Sequence, residues 1–173
     1  EVGYEKPADI TWDDKSYRGE AYGVFSYAAV AVDLEVDRLT YEVRLRKVTT
    51  AQDIGKAINP LLAKGQIMGG TAQALGYALL EKADFQGGWM RNSRLTDYVI
   101  PTFMDSPPME VFLVEEPYSR GPSGAKGLGE MPMDPPAPAV ISAVHDATGF
   151  WFNEIPVLPE KICARFIAAR KPL

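Results

Sequence analysis

The chain has 173 residues, 46% of them apolar, which is enough for one domain or two small lobes around a real core. Its net charge of −5 and pI near 5.0 argue against a dedicated nucleic-acid binder, which would carry a basic field. One cysteine and one histidine exclude an internal disulfide, an iron–sulfur cluster held by this chain alone and a His-rich metal centre.

Residues 1–22 are polar and irregular and read as an arm or linker, leaving 23–173 as the folded domain. Val24–Leu34 is rich in Ala, Val, Phe and Tyr. Thr40–Thr50 alternates Tyr41, Val43 and Leu45 against Glu42, Arg44 and Arg46, the period of a half-buried strand. With Glu35–Leu39 as the loop, the two form a β-hairpin whose turn lacks the usual glycine. Asn59 and Pro60 then suit the N-cap and first position of a helix running to about Glu81. Gly65, Gly69, Gly70 and Gly76 lie inside it, each costing about 0.5–1 kcal/mol against alanine, so a close approach is expected to compensate. Gln66, Gly69, Gly70 and Gln73 share one face, where amides alternate with bare backbone. Ile67, Thr71, Ala74, Leu75 and Ala78 make the neighbouring packing face.

Asp84–Trp89 reads as a turn, and Leu95–Thr102 and Met109–Glu115 as short extended pieces. Asp134 and Pro135 are expected to start a helix that Gly149 ends, with Val140, Ile141, Val144 and Ala147 as its apolar face. His145 on that helix reads as structural or exposed rather than catalytic. A last helix from near Pro159 packs through Ile162, Cys163, Phe166 and Ile167, with Cys163 a core thiol. The expected class is therefore α+β: a hairpin in a small mixed sheet, a glycine-rich helix and two C-terminal helices.

The segment Gly121–Glu130, GPSGAKGLGE, is the most distinctive. Its glycines let backbone pass close to a ligand, and such a turn can aim N–H groups at an anion. It fits neither a P-loop nor a dinucleotide fingerprint: Lys126 is followed by Gly127 rather than Ser or Thr, and Pro132 stands where a third glycine is required. Glu130 ends the loop, walled by Met131, Pro132 and Met133. A carboxylate in such a stiff apolar setting is expected to be desolvated, with a raised pKa suited to a general base.

Five blocks in order, AQDIGKAINP, GQIMGGTAQALGYALLE, LTDYVIPTFMDSP, GAKGLGEMPM and PAPAVISAVHDATG, resemble the C-terminal part of the molybdenum-cofactor subunit of the xanthine dehydrogenase/aldehyde oxidase family. The resemblance covers about residues 24–168. It implies that Glu130 is the catalytic base, deprotonating the oxygen that attacks an electron-poor carbon of an aldehyde or N-heteroaromatic substrate. It implies molybdopterin contacts from Gln66 and from Lys126, Gly127, Leu128 and Gly129, and less firmly from Gln73. No metal ligand is assigned to this chain. Iron–sulfur and FAD groups are expected on partner subunits, and the molybdopterin site is expected to be shared with other segments of a hydroxylase complex. The chain alone is expected to be inactive. Met68 and the Met131-Pro132-Met133 run depart from common family residues, which leaves substrate preference open.

A non-catalytic assembly domain of the same fold is the alternative, against which the presence of Glu130 weighs. Glu115-Glu116 and Glu154 with Glu160 offer carboxylates for carbohydrate chemistry, but no spacing commits them to one cleft. The first residues are not a signal peptide and no apolar run approaches the roughly 18 residues that span a bilayer, so a cytoplasmic location is expected, periplasmic assembly not being excluded. Glu1 is not an initiator methionine, in keeping with a processed or cut product.

Overall fold

The computed structural model describes residue 8 and residues 10–170. Strands β1 (Ala28–Val36) and β2 (Val43–Asp53) pair antiparallel, and β5 (Met109–Val114) adds to the other edge of β2 in parallel. Between them lie helix α1 (Pro60–Leu79) and a two-residue hairpin, β3 (Phe85–Gln86) and β4 (Trp89–Met90). Helices α2 (Pro136–Thr148) and α3 (Pro159–Ala169) follow. The small mixed sheet and three helices make the α+β class expected from the sequence.

The β1–β2 turn closes without glycine because Asp37 takes that role. Its carboxylate accepts from the N–H groups of Leu39 and Thr40, each at 2.8 Å, and Tyr41 takes a positive φ of 61°. A register shift beyond Asp33 leaves Arg46 unpaired in the ladder, a one-residue bulge. Both strands end later than the alternation suggested, at Val36 and Asp53.

Helix α1 starts as its cap residues dictate: Asn59 Oδ1 accepts from Leu62 N at 3.1 Å and Pro60 takes the first helical position. It packs against α2, β5 and the turn at Met131–Met133, and it shares two apolar clusters with β2 and the residue that follows it, Ile54. Ala63 and Ile67 meet Ile54, and Leu75 and Ala78 join Val48, Val140, Val144, Val157, Ile162 and Phe166 in the main core. Between Val48 and Ile54, β2 also buries Thr50 and Gln52, and between Ile67 and Ala74, α1 buries Thr71. All three are fully buried. Gln52 Nε2 donates to Thr50 Oγ1 at 2.7 Å, but Gln52 Oε1 and Thr71 Oγ1 have no partner among the described residues. A buried hydroxyl without a partner bears its desolvation cost, while an apolar group of similar shape does not. Thr71→Val is therefore expected to stabilise the cofactor-free protein by about 1 kcal/mol, read as a higher midpoint of thermal unfolding.

Asp84–Trp89 holds the expected turn, made by Gly87 and Gly88 at positive φ between β3 and β4. Four expectations are corrected. Leu95–Thr102 is not an extended strand: 95–98 form a turn and bend, and 99–102 have no regular structure. Helix α2 begins at Pro136, one turn of 3₁₀ helix at Met131–Met133 occupying the approach, so Asp134 caps nothing through its side chain. Ala147 and Ile167, expected in apolar faces, are exposed, the latter at 71%. Gly149 does end α2 with φ 77°, whereas Cys163, expected as a core thiol, is only half-buried and belongs to neither apolar cluster. His145 stacks on Trp151 with ring centroids 4.1 Å apart, a packing role in line with expectation.

Candidate cofactor-binding and active site

The loop that ends in Glu130 is built against the end of β2. Gly55 and Ala125 form an isolated bridge; Lys126 N donates to Ile54 O at 3.0 Å and Lys56 N to Gly124 O at 2.8 Å. The Lys126 side chain turns inward. Its Nζ lies 2.6 Å from Asp53 Oδ2 and 3.2 Å from the carbonyl oxygen of Phe25, with 6% of the lysine and 9% of the aspartate side chain exposed. Burial alone would push the Asp53 carboxyl up. The hydrogen bond from Lys126, the N–H of Gly55, the Lys126 charge and the N–H of Glu116 outweigh it and hold that carboxyl below the usual range. Glu115 braces the same corner: it accepts from Ala57 N at 2.7 Å and pairs with Lys56 at 3.1 Å, which holds its carboxyl low.

Beyond Lys126 the chain runs along α1. Leu128 and Met131 pack on Ile54, Ala63 and Ile67, and Pro132 is buried where Gly70 leaves room, 2.9 Å from where a Cβ would stand. Glu130 lies between these two attachments. Its carbonyl accepts from Met133 N at 3.0 Å, and its side chain is exposed. The apolar enclosure expected around Glu130 is therefore not supplied by this chain: Pro132 is buried under α1 and Met133 is 41% exposed, so neither encloses the carboxylate.

The glycines of α1 divide into two kinds. Gly70 and Gly76 serve the fold. A Cβ on Gly70 would press on Pro132, and one on Gly76 would stand 2.4 Å from both Pro101 Cγ and Glu81 Oε1. Gly70 thus belongs to the packing side and not to the amide face. Gly65 and Gly69 are exposed and have nothing among the described residues within 4 Å of the Cβ position, and the same holds for Gly127 and Gly129 in the loop. Gln66 and Gln73 are exposed on the face that carries Gly69. The outer surface of α1 and the nearby loop therefore present amides and bare backbone with their space unfilled. That donor set suits a flat polar heterocycle lying against the backbone, where added Cβ atoms would intrude.

The molybdopterin cofactor-binding domain model matches residues 1–107. The chain belongs to the molybdopterin cofactor-binding domain family. Relatives of the chain include the xanthine dehydrogenase molybdenum-binding subunit of Escherichia coli, 37% identical over 143 residues, covering 82% of this chain and 19% of that protein. The nicotine 6-hydroxylase large subunit of Paenarthrobacter nicotinovorans is 36% identical over 167 residues, covering 93% of this chain and 20% of its own length. That alignment necessarily includes the 121–130 loop, which lies beyond the domain-model match. Among solved structures, aldehyde oxidoreductase from Desulfovibrio desulfuricans aligns with a TM-score of 0.79 at 33% identity, over 87% of this chain and 16% of that one. Quinoline 2-oxidoreductase from Pseudomonas putida aligns with a TM-score of 0.73 at 36% identity, over 77% and 17%. The chain thus spans about a fifth of the length of the curated relatives it matches.

Of the residues singled out in the sequence, Gln66, Gly127, Gly129 and Glu130 lie on exposed surface, while Leu128 packs inward and the Lys126 ammonium is engaged with Asp53. Lys126 gives the loop an anchor instead of an open cation. Asp53 was missed as a site residue. Its sequence signal is its place in the block AQDIGKAINP, where nothing local marks it as the partner of a lysine. No helix among the described residues is long and apolar enough to cross a membrane.

Proposed function

We propose that this chain is part of a molybdenum hydroxylase, supplying the general base Glu130 and one wall of the molybdopterin site for oxidation of an aldehyde or N-heteroaromatic substrate. The observation that carries the reading is the set of four open glycines beside Gln66 and Glu130, whose cost the fold itself does not recover. The molybdenum cofactor, when bound, supplies the redox chemistry. The chain's own residues do the rest. Gln66 offers both an amide donor and an acceptor to the pterin edge. The backbone at Gly127 and Gly129 gives close approach. Glu130 accepts a proton at a carboxylate oxygen from the attacking oxygen nucleophile. The desolvation that would tune this base comes from other segments of the complex, since here the side chain is exposed.

The rest of the complex also covers apolar surface left open in this chain, such as Trp89, Phe103 and Met104, which are 81%, 91% and 87% exposed. Iron–sulfur and FAD groups belong to other subunits or segments, and this chain by itself turns nothing over. The relatives are named for nicotine, quinoline and aldehydes, which agrees with an electron-poor carbon as the target.

The reading makes opposite demands at one pair of positions. Gly65→Ala and Gly69→Ala each place a methyl group in open space within a helix, so each is expected to stabilise the cofactor-free protein by about 0.5–1 kcal/mol. If the pterin lies on this face, the same changes lower the molybdenum and pterin content of the assembled enzyme. Thermal unfolding of the apoprotein and metal analysis of the holoenzyme check the two halves. Full cofactor content in the double variant would remove the pterin from this face of α1.

A further inference from the structure

We propose that the buried Asp53–Lys126 ion pair is a positioning clamp that fixes the Glu130 loop in one register; the inference rests on the reading of Glu130 as the base. Three stretches distant in sequence meet at this pair. Lys126 Nζ bonds both the Asp53 carboxylate and the Phe25 carbonyl oxygen. Asp53 Oδ1 accepts from Gly55 N at 3.1 Å, and Asp53 N donates to Tyr27 O at 2.8 Å. The pair therefore joins the approach to β1, the end of β2 and the loop.

Stability is a poor reason for such a pair. Removing two charges from water costs about as much as their attraction returns, and an apolar pair of similar size often packs as well or better. What an ion pair adds is a single allowed alignment. That is what the loop lacks further on. Gly127 and Gly129 have no side chain and no near neighbour among the described residues at their Cβ positions, and beyond Lys126 the span rests on the body of the fold through the apolar side chains of Leu128 and Met131 before Pro132 docks at Gly70. Glu130 hangs within a short span whose polar anchors to the sheet both lie at Lys126, its N–H on the Ile54 carbonyl and its ammonium on Asp53. A general base displaced by about 1 Å can lose on the order of 10²-fold in rate, so the anchor matters to chemistry in a way that it does not to folding.

The test uses the assembled holoenzyme with Asp53→Asn, Lys126→Met and the double variant Asp53→Asn/Lys126→Met. Hydrogen–deuterium exchange is read in the peptide spanning the 127–131 amides, with α2 and α3 as internal references. The double variant carries no unpaired buried charge, so it separates register from fold. In the double variant we expect a melting temperature close to wild type, loop exchange faster by about tenfold or more, and unchanged exchange in α2 and α3. We also expect kcat to fall by about 10–100-fold with KM little changed. Wild-type loop exchange in the double variant would overturn the clamp, as would faster exchange spread evenly through α2 and α3. If a single variant fails to assemble, the double variant still decides. Failure of the underlying reading is distinguishable: a Glu130→Gln enzyme of normal rate would remove the base while leaving the exchange result to stand or fall on its own.

Discussion

Glu130→Gln is expected to slow reduction of the molybdenum centre by substrate at least 10²–10⁴-fold, roughly the loss seen when a general base is removed. The substitution keeps size and hydrogen-bonding shape but cannot accept a proton. Its backbone place is held by others: the carbonyl of Glu130 receives Met133 N–H, and the flanking Leu128 and Pro132 are packed against α1. Because the exposed carboxylate makes no contact that secures the loop, the amide is expected to leave the loop geometry, the molybdenum content and thermal stability close to wild type. Single-turnover reductive kinetics on the assembled enzyme, paired with metal analysis, check both parts. A variant that reduces its molybdenum at close to the wild-type rate would dismiss Glu130 as the base. A variant that loses molybdenum together with activity would make Glu130 a loop anchor instead.

Much of the fold was legible because local chemistry and burial agree. Asn59-Pro60 announces α1, and the Asn59 side chain caps it. The packing face read from spacing alone, Ile67, Thr71, Ala74, Leu75 and Ala78, is the buried one. Elements without a local signature were misread. Leu95–Thr102 has strand-like composition, yet it pairs with no strand among the described residues and runs as a turn and irregular chain to the C-terminal end of α1, where Pro101 fills the space left by Gly76. The approach to α2 was misplaced because Asp134 looks like a cap, while the prolines at 132, 135 and 136 favour a tight 3₁₀ turn first.

The candidate site was legible in its residue types and not in its internal supports. A glycine in a helix advertises a close approach but not with what. The structure shows that Gly70 and Gly76 meet the chain's own prolines, whereas Gly65 and Gly69 meet nothing within it. The sequence likewise marks Lys126 as a cation beside a ligand loop, but its partner lies 73 residues away, a separation that no spacing rule reaches. Only the pairing of β2 with β5 and the turn at Gly55 bring the two together.

Gly55→Val is expected to disrupt that junction and cost the protein about 2–5 kcal/mol, the sum of two independent effects. Gly55 has φ 63°, a left-handed conformation that costs a residue with a side chain about 1–2 kcal/mol, and more when the side chain is β-branched. Its Cβ would also stand 2.5 Å from Gly124 O, 2.8 Å from Lys126 N and 2.9 Å from Lys126 Cγ. Two of these three neighbours are backbone atoms that cannot swing aside, and such overpacking typically costs a further 1–3 kcal/mol or so. The clash falls on the hydrogen bonds that dock the loop, so the loop is expected to separate from β2 before the main core around Val48, Val140 and Ile162 is affected. The signature should differ from that of Glu130→Gln. Cofactor content and activity should fall together, the melting temperature should drop, and Gly127→Ala, which adds a methyl group in open space, should leave the melting temperature unchanged. Thermal unfolding and metal analysis of the three variants side by side supply the comparison. A Gly55→Val protein that melts like wild type with full molybdenum content would show that the loop does not need its seat on the end of β2.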